Sequence, residues 1–135
     1  MPETLTPFIA LAGGGLVCAV AAILVALTRP NAPGNAMLAA ILSAGFAGFT
    51  AITIAAAGVF PVILNHTSNL WGVQVWWDLL FSLSIAYFLI LPRAKAQGMN
   101  LILWTVFILA TASIGLLAMC SRLFWLEGQS ATRAA

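Results

Sequence analysis

The sequence predicts an all-α integral membrane protein, a bundle of four transmembrane helices with short loops. Three observations carry this. Of 135 residues, 63% are hydrophobic and only 6% are charged, against about 25% charged in ordinary soluble domains. Uncharged apolar stretches recur at the roughly 20-residue length that a spanning helix needs. Those stretches are apolar all round, whereas membrane β-strands alternate apolar and polar residues over about ten positions. Backbone in lipid must pair internally, so uniform apolar runs imply helices. A soluble fold of this length exposes too much of its chain to hide so much apolar surface. The length allows one domain over 1–135 and no separate soluble module.

The first predicted span runs from Pro7 to Thr28 and ends at Arg29-Pro30-Asn31-Ala32-Pro33-Gly34-Asn35, where two prolines stop a helix. Its N-terminal flank, Met-Pro-Glu-Thr, lacks the basic region of a signal peptide, so the run reads as a retained helix. The second span runs from Ala36 to about Leu64, with a kink or termination expected near Val59 because Pro61 follows. The polar segment Asn65-His66-Thr67-Ser68-Asn69 reads as a loop. The third span runs from about Gly72 to Leu91 and stops at Pro92, before the basic loop Arg93–Gly98. The fourth runs from Leu101 to about Trp125, and the small polar tail 128–135 reads as disordered.

With four crossings, Trp71, Trp76, Trp77 and Trp125 fall near one membrane face and Trp104 near the other, as interfacial tryptophans do. Arg29, Arg93 and Lys95 then share one side, and Arg122 and Arg133 the other. By the positive-inside rule the first and third loops are cytoplasmic, and both termini lie outside. The expected location is a bacterial inner membrane. A net charge of +2 without a Lys/Arg cluster gives no footprint for nucleic acid.

The second run carries small residues at every fourth position, Ala39, Ser43, Ala47, Ala51 and Ala55, beside Ala40, Ala44 and Gly48. Such a stripe lets another backbone approach closely, either within the bundle or from a partner helix or a flat lipid. Gly13-Gly14-Gly15, Cys18 and Ala22 form a similar patch. Cys18 and Cys120 belong to no CxxC or zinc pattern and read as small packing residues at different depths, too far apart for a disulfide.

Asp78 is the one acidic residue inside an apolar run. Intramembrane carboxylates are costly and usually face a bundle interior. Either it serves as a proton donor or ligand contact, or it makes a structural hydrogen bond or an interfacial charge. Counting about 1.5 Å per residue, Thr50, Gly14 and Ser113, with Thr111 and Gly115, reach its depth and form a candidate polar ligand-binding site with it. An Asp78–Arg122 pair is one option for Arg122, and snorkelling to the headgroups is the other. His66 is the sole histidine; it is a weak candidate metal ligand and otherwise an exposed loop side chain. No metal or other cofactor is expected, although a bound lipid or isoprenoid fits the composition.

Three segments, Trp-Asp-Leu-Leu-Phe-Ser-Leu from Trp77, Arg-Ala-Lys-Ala-Gln-Gly-Met from Arg93 and Leu-Phe-Trp-Leu-Glu ending at Glu127, carry a resemblance. Together they resemble a family of small bacterial membrane proteins of unknown function, sometimes loosely labelled terpene-cyclase-like. The likeness covers less than half the chain. The family's loop usually carries an acid near Arg93, which is missing here, and Arg122 departs from its apolar ending. The resemblance implies a small helical membrane fold, with Asp78 in the place of the family's helix-start acid.

These features favour a non-catalytic accessory subunit or lipid-associated component packed against other membrane chains. The alternative is a small enzyme acting on an isoprenoid or other apolar lipid with Asp78 as general acid. A third option is an oligomeric carrier.

Overall fold

The structure, a computed structural model, describes residues 6–28 and 34–134. Among them lie six helices: α1 (Thr6–Thr28), α2 (Ala36–Ala57), α3 (Phe60–Thr67), α4 (Leu70–Ala96), α5 (Leu101–Thr111) and α6 (Ser113–Ala134). Three are long and apolar enough to cross a membrane: α1, α2 and α4. The all-helical expectation therefore holds among the described residues. Most of the expected first loop, residues 29–33, lies outside them.

By its contacts the chain forms two units, residues 1–32 and 33–135. In the first, α1 is apolar on every face, and its spanning window buries none of its residues. No neighbour lies within 4 Å of a Cβ placed at Gly13, Gly14 or Gly15.

In the second unit, asparagines start three helices. Asn35 Oδ1 accepts from the Leu38 N–H at 2.9 Å, Asn69 from Gly72 at 2.9 Å and Asn100 from Leu103 at 3.2 Å. Each satisfies one of the unpaired donors at a helix start. The expected run from Ala36 to Leu64 is broken. α2 ends at Ala57, Gly58 turns with φ 79°, and α3 begins with Pro61 in its first turn, where a missing N–H does no harm. This matches the termination expected near Val59. The polar loop is shorter than expected, because Asn65, His66 and Thr67 are helical.

The third expected span, α4, passes through Pro92 instead of stopping there, and ends at Ala96. A Schellman turn closes it: Gly98 N–H donates to Lys95 O at 3.0 Å and Met99 N–H to Ala94 O at 3.1 Å, with Gly98 at φ 68°. Met99 and Ala94 are both buried, supplying the apolar contact that accompanies this motif.

The fourth expected span differs most. It breaks at Ala112, whose φ of 50° and ψ of −119° reverse the chain. A Cβ placed at Gly115 would lie 2.9 Å from Ile108 Cα. Two residues seven apart cannot meet this way in one continuous helix, which rises about 10 Å over that interval. α5 and α6 therefore form an antiparallel hairpin. Ile108, Met119 and Leu123 share one buried cluster with Ala94 and Met99. At 11 residues α5 is about 16 Å long, half of a roughly 30 Å hydrocarbon core, so it cannot cross.

Neighbours fix the hairpin's direction. Ser43 Oγ donates to Ile114 O at 3.0 Å, and Ser121 Oγ to Ala36 O at 2.9 Å, so α6 runs antiparallel to α2. Tyr87 Oη meets Thr105 Oγ1 at 2.5 Å, and Thr105 in turn donates to Leu101 O at 2.7 Å, which makes Tyr87 the donor. Arg93 grips Glu127 through two hydrogen bonds of 2.8 and 2.6 Å, and Ser130 Oγ donates to Gln97 Oε1 at 3.2 Å. α6 is thus parallel to α4. The start of α2, the end of α4, the start of α5 and the end of α6 gather at one end of the unit. The tail expected to be disordered is helical through Ala134.

Candidate functional site

The small-residue stripe divides in two. Ala39 and Ser43 are buried beneath α6, and Ala47 is half-buried. Ala51 and Ala55 are exposed, as is every residue from 51 to 60. α6 reaches along α2 only to Ser43, because the hairpin turns back there. Past that point burial falls away: Ala47 and Thr50 are half-buried, and from Ala51 the same sequence pattern continues fully exposed.

Asp78 is exposed on α4 and makes no hydrogen bond or ion pair among the described residues. It lies nine residues before Tyr87, about two and a half turns, so it sits on the side of α4 opposite the hairpin contact. Ser113 is half-buried at the hairpin tip. Thr50 is half-buried seven residues beyond Ser43, about 10 Å further along α2. Gly14 belongs to the other unit. Among the described residues of the second unit, no hydrogen bond joins Asp78, Thr50 or Ser113 to one another.

Arg122 goes to the opposite end from the one expected, because α6 runs back toward the start of α2. Its guanidinium stacks on Trp125, 4.5 Å from the ring centroid. An Asp78–Arg122 pair does not form; among the described residues the one ion pair is Arg93–Glu127. Trp125 likewise moves to the end that holds the start of α5 and Trp104, away from Trp71, Trp76 and Trp77.

All four basic side chains of the described residues, Arg93, Lys95, Arg122 and Arg133, now lie toward one end. Two of them are separated by their partners. Arg93 is held by Glu127 and lies 5.4 Å over the Phe124 ring. Arg122 and Arg133 share a stripe of α6 with Trp125 and Gln129, since offsets of three, seven and eleven residues return to one helix face. Leu116, Met119, Leu123 and Leu126 form the other face and pack into the buried cluster. The alternation is present in the sequence and is the signal of a helix with one apolar and one polar face.

His66 is helical and half-buried rather than an exposed loop residue. Its Nδ1 meets Val62 O at 2.5 Å and its ring lies 5.2 Å from that of Trp76. Gly72 allows this packing, since a Cβ there would strike the Asn65 carbonyl. Among the described residues no three His, Cys, Asp or Glu side chains gather as a metal-binding group. Cys18 and Cys120 are free thiols.

What this arrangement offers is an exposed small-residue face on distal α2 and an amphipathic, basic end on α6. No family model, curated protein or solved structure matches the chain.

Proposed function

We propose that this chain is a non-catalytic membrane protein that works by helix association, as an accessory or lipid-associated component of a larger membrane assembly. The observation that carries this reading is the divided stripe on α2. Its first half accepts α6 in close backbone contact, and in its second half Ala51 and Ala55 repeat the same small residues with no helix of their own unit packed on them. Small residues let helices approach within lipid, where no hydrophobic driving force brings them together. The distal half of α2 accordingly receives a helix of another membrane chain.

In the bilayer, α1, α2 and α4 cross, while the α5–α6 hairpin enters from the basic end and returns to it. With every described Lys and Arg toward that end, the positive-inside rule puts it in the cytoplasm of a bacterial inner membrane. The N-terminus is then outside and the C-terminus inside, in place of two termini on one side. Tags on the two termini should report opposite sides; the same side for both would remove the re-entrant hairpin.

The association itself is tested by Ala51→Leu and Ala55→Leu, followed by co-purification from mild detergent. Loss of a stoichiometric partner with membrane insertion intact is the expected result. Unchanged association in both variants would overturn the docking reading. Recovery of a bound isoprenoid and no protein partner would favour an enzyme acting on apolar lipid.

A further inference from the structure

The end of α6 carries two cations, Arg122 and Arg133, with no carboxylate partner among the described residues. Arg122 is exposed, stacks on Trp125 and has no carboxylate partner among the described residues. The carboxylate available at this end, Glu127, is already engaged on both oxygens by Arg93. Arg122 and Trp125 also line a 370 Å³ trough between α2 and α6, together with Met37, Ala40 and Ala118. Trp125 forms part of a second groove with Gln129, Thr132 and Arg133 further along the helix. An apolar trough thus adjoins a stacked guanidinium, with polar and basic groups continuing along the helix.

The geometry points to a binding site for one anionic phospholipid, its phosphate on Arg122 and an acyl chain in the α2–α6 trough. The inference rests on the chain being membrane-embedded, but not on the docking of a partner at distal α2. Charge complementarity selects the occupant. Guanidinium groups bind phosphate oxygens through paired hydrogen bonds, tryptophan sits at the headgroup level, and basic residues beside a membrane prefer anionic lipids. Free phosphate has no use for the apolar lining. A zwitterionic lipid brings its own cation to a site that already has one.

The experiment uses the full-length protein in detergent containing equal amounts of phosphatidylglycerol and phosphatidylcholine, with retained lipids counted by native mass spectrometry. Phosphatidylglycerol should be enriched. Arg122→Gln should reduce that enrichment about fivefold, the contribution of one basic residue at an anionic surface. Lys95→Gln and Ala51→Leu should leave it unchanged, which separates lipid binding from both general charge and partner docking. Molar salt, where the screening length is about 3 Å, should weaken the preference in the parent protein, so the site remains testable if Arg122→Gln fails to fold. Equal retention of both lipids by the parent overturns the proposal. So does undiminished enrichment in Arg122→Gln, a preference that survives molar salt, or displacement of the lipid by inorganic phosphate alone. Carbonate extraction of the parent from membranes checks the embedding separately.

Discussion

The two ends of the α2–α6 unit are built from similar residues and held very differently. Toward the basic end, α2, α4, α5 and α6 converge. Every buried side chain named above lies there, with Met119 and Leu123 fully enclosed. Side chains lock the helices to one another through Ser43, Ser121, Tyr87, Arg93 and Ser130. At the far end, α3 packs on the start of α4, and the distal half of α2 touches nothing comparable. Alanine-rich sequence is present at both ends of α2. The presence of α6 decides which part is interior, so composition alone does not separate a filled contact from a vacant one.

Four tests break or sharpen this contrast. The largest effect is expected at the enclosed core. Leu123→Ala should destabilise the detergent-solubilised protein by about 2–5 kcal/mol through lost contacts and a cavity, whereas Ile52→Ala on distal α2 should stay within about 0.5 kcal/mol. Equal midpoints for the two in thermal unfolding would erase the distinction between the ends.

The hairpin itself is probed next. Gly115→Ala places a Cβ against Ile108 and Thr111, and such overpacking costs about 1–3 kcal/mol. In a straight fourth helix the same change would stabilise by about 1 kcal/mol. Ala112→Gly should behave oppositely, relieving a backbone conformation with φ 50° that costs an alanine about 1–3 kcal/mol. The pair of signs, read from denaturation midpoints, distinguishes a reversal from a continuous span.

A smaller effect is expected at the clasp. The Arg93 side chain is 46% exposed, so solvent screening limits the pair to about 1 kcal/mol or less. Arg93→Gln and Glu127→Gln should each lower stability slightly, and the double variant should lose no more than either single one. Additive losses in that cycle would show that the two side chains act independently.

The smallest is Asp78→Asn, expected to change stability by less than about 0.5 kcal/mol, because the exposed carboxylate has no partner to lose among the described residues. Its informative readout is the cellular phenotype. Intact fold and assembly with an abolished phenotype would make Asp78 a proton donor and bring back the enzyme reading.

Much of the fold was legible in the sequence, and the exceptions have physical causes. Long apolar runs marked α1, α2 and α4, and Pro61 marked the break after α2. The reversal at Ala112 was hidden because Thr111-Ala112-Ser113 contains neither glycine nor proline. Apolar length overrode a better signal: from Ser121 onward the chain alternates Leu123 and Leu126 with Arg122, Trp125, Gln129 and Arg133, the pattern of a half-solvated helix. Pro92 predicts a stop, but the helix continues to Ala96, and a Schellman turn and the Arg93–Glu127 clasp lie beyond the proline. Of the candidate site, the α2 stripe was legible as a contact surface, though not its division. The grouping around Asp78 came from depth alone, and depth carries no information about which side of a helix faces inward.

The reversal at Ala112 also bears on how the chain is made. A straight fourth span would require Arg122, Glu127 and Arg133 to be carried across the bilayer during synthesis, with a charge at the bilayer centre costing about 2.5–3.5 kcal/mol on insertion scales. In the proposed orientation none of them makes that journey. α4 is already threaded when Leu101–Thr111 follows it into the near leaflet, and the remaining residues fold back on the side from which they emerged. In that orientation, seating the α5–α6 hairpin is a packing event guided by α2 and α4 rather than a further crossing.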